Sequence, residues 1–80
     1  MIDDIVHDSD VIKIVVDPKH TFVINSHMSS MQIWYSSPVS GPKRFDLHDD
    51  VGNVWKDRNG QELFGLLDSD LKLLRDKLGI

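Results

Sequence analysis

Four carboxylates fall within the first ten residues, at Asp3, Asp4, Asp8 and Asp10. Carboxylate oxygens suit hard cations, and exposed ones hold such ions weakly with many waters retained. The same acids could instead be solvated charges that guard a sheet edge against pairing with another chain. Spacing alone leaves both readings open. The histidines His7, His20, His27 and His48 are scattered without an HExxH or other paired spacing, so they read as surface or edge residues. Ser36-Ser37 has no base at a recognisable spacing and lies beside Pro38, which argues against a hydrolase triad. Gly41, Gly52 and Gly60 do not make a phosphate loop. The chain has no cysteine, hence no thiol nucleophile, thiolate zinc site or disulfide, and no thiolate of its own for an iron–sulfur cluster.

The elements that would position these groups are short. β-Branched and aromatic residues gather in runs over 11–16, 21–25, 31–36, 43–47 and 54–56, separated by turn-forming segments such as Asp17-Pro18, Pro38 to Pro42 and Asn59-Gly60. Short connections imply antiparallel neighbours and a meander over 11–58, with 1–10 as an acidic lead-in and first strand. Over 61–78 the period changes. Leu63, Leu67, Leu71, Leu74 and Leu78 recur at three- and four-residue spacing, Phe64 and Leu66 widen the stripe, and Gly79 suits a C-terminal cap. Gly65 weakens such a helix by roughly 1 kcal/mol, which predicts close packing against the sheet at that point. The expectation is an α+β fold: a five-stranded antiparallel sheet with one C-terminal helix on one face, in a single domain over 1–80.

The 80 residues carry a net charge of −4, most of it in the front half. That balance argues against a nucleic-acid groove. No apolar run approaches the ~20 residues needed to span a bilayer. The acidic start lacks the character of a transit or signal peptide, so a processed or shortened chain is expected. Width poses a further question. Five strands at about 4.8 Å make a sheet roughly 24 Å wide, and one helix of about 10 Å diameter covers less than half of it. The remaining apolar face would need a missing helix, a second copy of the chain as a homodimer or exchanged segment, or the front segment folded back.

Alternation assigns faces. Met31, Ile33 and Tyr35 fall on the side toward the helix, as do Phe22, Ile24, Phe45 and Leu47. Trp34 then lies on the open side with Gln32 and Ser36, joined by Val23, Asn25, Arg44 and Asp46. Trp55 has no clean alternation and reads as core. An indole, a guanidinium and two amides on one surface is a composition enriched at protein–protein hot spots, although a strand tryptophan is as often a packing residue.

The run Thr21-Phe22-Val23-Ile24-Asn25, followed by Gln32-Ile33-Trp34-Tyr35-Ser36-Ser37-Pro38-Val39-Ser40-Gly41-Pro42-Lys43-Arg44-Phe45-Asp46, resembles the frataxin family. The likeness continues through Trp55, Asn59-Gly60 and Leu63 to Leu67. The resemblance implies an α–β sandwich whose N-terminal helix is not seen here, and a role in iron–sulfur cluster assembly. It implies weak binding of iron, Fe2+ or Fe3+, with Asp4 matching a first-strand acid and Asp3 and Asp8 beside it. It also implies docking on a cysteine desulfurase and its iron–sulfur scaffold protein, with Asn25, Gln32, Trp34 and Arg44 matching the family's sheet-face positions. Iron oxidation or storage, or a truncated inactive copy, are the alternatives. The expected location is the mitochondrial matrix or a related organelle, or else a bacterial cytoplasm.

Overall fold

The computed structural model describes residues 2–48 and 54–79, with His48 described by its backbone alone. Six strands follow one another as β1 (Asp4–Asp8), β2 (Val11–Asp17), β3 (His20–His27), β4 (Gln32–Ser37), β5 (Gly41–His48) and β6 (Val54–Lys56). Helix α1 (Leu63–Leu78) completes the described chain. Each strand pairs antiparallel with its sequence neighbour, so the sheet is the meander that short connections dictate. The count is six rather than five. The acidic lead-in forms a complete edge strand, with Asp4 opposite Val15 and Asp8 opposite Val11. That pairing also corrects one expectation about cover, since this segment extends the sheet sideways instead of folding back over its face. The connection from β5 to β6, whose residues from His48 to Asn53 read as a turn, lies outside the described residues except for His48, which is the last residue of β5.

The β2–β3 turn is fixed by Asp17, whose Oδ1 accepts from the Lys19 amide at 2.8 Å and meets His20 Nδ1 at 2.8 Å. The hydrogen bond to His20 holds the Asp17 carboxyl below its ordinary range.

Alternation holds across the sheet. Ile14, Val16, Phe22, Tyr35 and Phe45 are buried with Leu63 and Leu74 of α1, and Trp55 packs partly buried against that cluster. Met31 departs from the expected face. It sits in the β3–β4 turn with φ 54 and is 44% exposed, because β4 begins one residue later. Phe64 also departs, being 71% exposed, so the apolar stripe of α1 is narrower than its sequence suggests. Gly79 caps the helix in the left-handed region at φ 73, its amide donating to the Arg75 carbonyl. Gly65 faces open space, with nothing within 4 Å of where a Cβ would lie, so the expected close approach to the sheet is not there. Nothing in the structure explains this glycine.

The helix leaves part of its face bare. Ile5 stands opposite Ile14, and His7 opposite Ile12, which puts Ile5 and Ile12 on the helical side of the sheet. Ile5 is nevertheless 59% exposed there. The β1–β2 end is therefore the uncovered strip that the width argument requires.

Candidate functional site: the open sheet face

Three adjacent strands bring the face together. Register places Asn25 opposite Trp34, and Trp34 opposite Arg44. One step along, His27 is opposite Gln32 and Gln32 is opposite Asp46. The period of two in β3, β4 and β5 thus puts all six side chains on the side away from α1.

Trp34 is the centre of the cluster and is 39% exposed. Its neighbours hold the ring in place. The Arg44 guanidinium carbon lies 4.6 Å from the ring centroid, within cation–π range. The His27 ring is tilted 30° to the indole with centroids 3.9 Å apart. The indole Nε1 donates to Gln32 Oε1 at 3.2 Å, and Gln32 Nε2 donates to Asp46 Oδ1 at 3.0 Å. His27 Nε2 is buried with no hydrogen-bond partner among the described residues. A preoriented aromatic ring loses little rotamer freedom on contact with another surface, which is what makes such rings effective anchors.

Beside the ring runs an open groove of about 760 Å³. Asn25, Trp34, Pro42 and Arg44 line it from the sheet, and Arg58 and Asn59 line it from the turn between β6 and α1. That turn is pinned by the buried Asp57, whose Oδ1 accepts from the amides of Asn59 and Gln61, both at 2.9 Å.

The turn from Ser37 to Ser40 is tied down toward α1 by hydroxyls. Ser37 Oγ accepts from the amides of Val39 and Ser40. Ser40 Oγ donates to Asp70 Oδ2 at 2.6 Å, and Tyr35 Oη donates to the same oxygen at 2.7 Å. Both Tyr35 and Asp70 are about 2% exposed. Burial first, and then the Asp70 carboxyl, push the Tyr35 hydroxyl well above its ordinary value. Ser37 and Ser40 therefore hold a turn against α1.

The front acids are arranged differently. Asp4 and Asp8 share the open side of β1 with Val6, and Asp3 precedes them, its amide donating to the Val15 carbonyl at 2.8 Å. All three are exposed. Among the described residues no three metal-ligating side chains converge. Asn25, Gln32, Trp34 and Arg44 are thus assembled into one surface, whereas Asp3, Asp4 and Asp8 are not gathered into a chelate. Two members of the face, His27 and Arg58, were not anticipated. His27 lies two residues beyond Asn25 and has the same parity, so a longer β3 reveals it. Arg58 lies in a turn and carries no periodic signal.

A six-stranded antiparallel sheet with a helix on one side and an ordered aromatic–guanidinium–amide cluster on the other is an α–β sandwich with one working face. The sequence matches the frataxin-like domain over residues 1–76, and the chain belongs to that family. It is 49% identical over 65 residues to "Frataxin, mitochondrial" of Dictyostelium discoideum, spanning 80% of this chain and 33% of that protein. Two structures of frataxin from Saccharomyces cerevisiae superpose with a TM-score of 0.75 at 35% identity over 89% of this chain. One is the trimeric protein with its full-length N-terminus, 57% of which is covered; the other is a trimeric ferrous complex, 62% covered. The chain therefore spans about a third of that curated relative. Relatives named mitochondrial support a mitochondrial location over a bacterial cytoplasm.

Proposed function

We propose that this chain is a non-catalytic factor of iron–sulfur cluster assembly that docks by its open sheet face on a cysteine desulfurase–scaffold complex and modulates sulfur transfer. The observation that carries this reading is Trp34, a large aromatic ring held half out of the surface by Gln32, His27 and Arg44. Trp34 supplies the anchor, Arg44 a charge-assisted contact, and Asn25 and Gln32 hydrogen bonds. Family membership supports the choice of partner. The test is retention of the purified desulfurase–scaffold complex by the tagged chain, expected at a stoichiometric level. No retention across a range of salt concentrations would overturn the docking reading.

The same proposal makes iron a weakly held cargo at Asp3, Asp4 and Asp8, supported by the ferrous complex of the yeast relative. The donors fit a hard cation in type, and their lack of convergence fits a site that leaves the ion mostly hydrated. Anaerobic titration with ferrous iron is expected to perturb the resonances of these three residues, with the effect lost when all three become Asn. A titration that leaves them unmoved removes iron delivery from the proposal and leaves docking standing.

A further inference from the structure

The groove beside Trp34 raises a question of charge. Two guanidinium groups border it from separate elements, Arg44 on β5 and Arg58 in the turn before α1, and both residues are exposed. Among the described residues the ion pairs are Asp17–His20 and Asp68–Lys72, so neither arginine is paired with a described carboxylate. The nearest acid in the lining, Asp57, is buried, and its Oδ1 is taken up by the amides of Asn59 and Gln61. Among the described residues, two arginines thus stand along one groove without an ion pair, with Lys43 also in the lining and an aromatic wall beside them, in a chain of net charge −4.

Covering that groove with a surface that offers no acceptors would strip water from two guanidinium groups without replacing their hydrogen bonds. The planar fork of arginine is matched by carboxylate in bidentate geometry. We infer that the groove receives an extended acidic segment of the docked protein partner, one carboxylate meeting Arg44 and another meeting Arg58, with an apolar side chain against the Trp34 ring. The inference rests on the docking reading for the partner's identity but not for the groove's own chemistry. The three basic residues of the lining, Lys43, Arg44 and Arg58, are too few to follow a long polyanion such as nucleic acid, and the chain's net charge of −4 disfavours one. The Asp57-pinned turn holds the Arg58 backbone in place before any ligand arrives, which favours pairing by lowering its entropic cost.

The probe is a capped hexapeptide with two glutamates on each side of a Leu-Pro pair, titrated into the full chain and followed by NMR. A second peptide with glutamine at every glutamate position is the control. The acidic peptide is expected to shift the Trp34 indole and the Arg44 and Arg58 guanidinium signals, more weakly as salt rises. Arg58→Gln is expected to weaken its binding about tenfold, the equivalent of one charge-assisted contact. Equal shifts by the glutamine peptide, no shifts at all, or an unchanged affinity for Arg58→Gln would each overturn the inference. Desulfurase–scaffold retention is measured separately. If the peptide binds and the complex does not, the groove's chemistry stands and the docking reading fails. If the complex binds equally well to Arg58→Gln and the peptide does not bind, the reverse holds.

Discussion

Replacing Asp70 by alanine is expected to lower the folding stability of this chain by about 2–3 kcal/mol, because two hydroxyls then lose their acceptor. Tyr35 Oη and Ser40 Oγ both donate to the same Asp70 oxygen, and Tyr35 lies in the core beneath α1. A buried donor without a partner costs about 1–3 kcal/mol, and Tyr35 is almost wholly buried. Removing a desolvated carboxyl returns part of that cost, which is why the sum is not larger. For a domain of this size the loss corresponds to a fall in Tm of about 8–24 °C. Asp70→Asn retains an acceptor oxygen and is expected to lose less than half as much. Thermal unfolding followed by circular dichroism reads both variants. A shift of less than about 2 °C for alanine, or an equal loss for asparagine, would show that the Tyr35–Asp70–Ser40 contact does not tie the sheet to the helix.

The second large effect is on binding. Trp34→Ala is expected to weaken association with the desulfurase–scaffold complex by at least about 2 kcal/mol, roughly 30-fold in Kd. The same substitution leaves the fold intact, since Trp34 is on the solvent side of β4 and gives up only its contacts with His27, Gln32 and Arg44. Its neighbour in the chain provides the contrast. Tyr35 is one residue away and fully enclosed, so its truncation removes core volume and a buried hydrogen bond together. Isothermal titration against the complex gives the affinity, and the unfolding midpoint gives the control. Unchanged affinity in a folded variant would remove Trp34 as the anchor.

These two predictions divide cleanly between what periodicity reaches and what it does not. Trp34 and Tyr35 are adjacent and both aromatic, yet alternation separates them, because a strand with one buried face permits a single register. The leucine spacing of α1 and the glycine at its end were readable for the same reason: the helical period is local. Asp70, by contrast, sits among the apolar positions of α1 and looks in the sequence like one more charge on an amphipathic helix. Its role appears only when Tyr35 and Ser40, thirty or more residues away in the chain, arrive at hydrogen-bond distance.

The same limit applies elsewhere. Met31 reads as the start of a strand and is a turn residue with positive φ, since the hairpin geometry takes one residue from β4. The acidic lead-in became a full sixth strand because β2 offered it an edge, a matter of pairing between segments rather than of its own composition. Arg58 has no periodic context at all, and it joins the site through the turn that Asp57 holds.

The order of elements, the face taken by each strand residue, and hence the membership of Asn25, Gln32, Trp34 and Arg44 in one surface were set by the sequence itself, because side-chain alternation and short connections act over a few residues. Which polar groups became a buried clamp, which arginines came to border one groove, and which apolar strip stayed bare at Ile5 and Ile12 were decided only in three dimensions. Those outcomes depend on distances between segments far apart in the chain, and no local period encodes them.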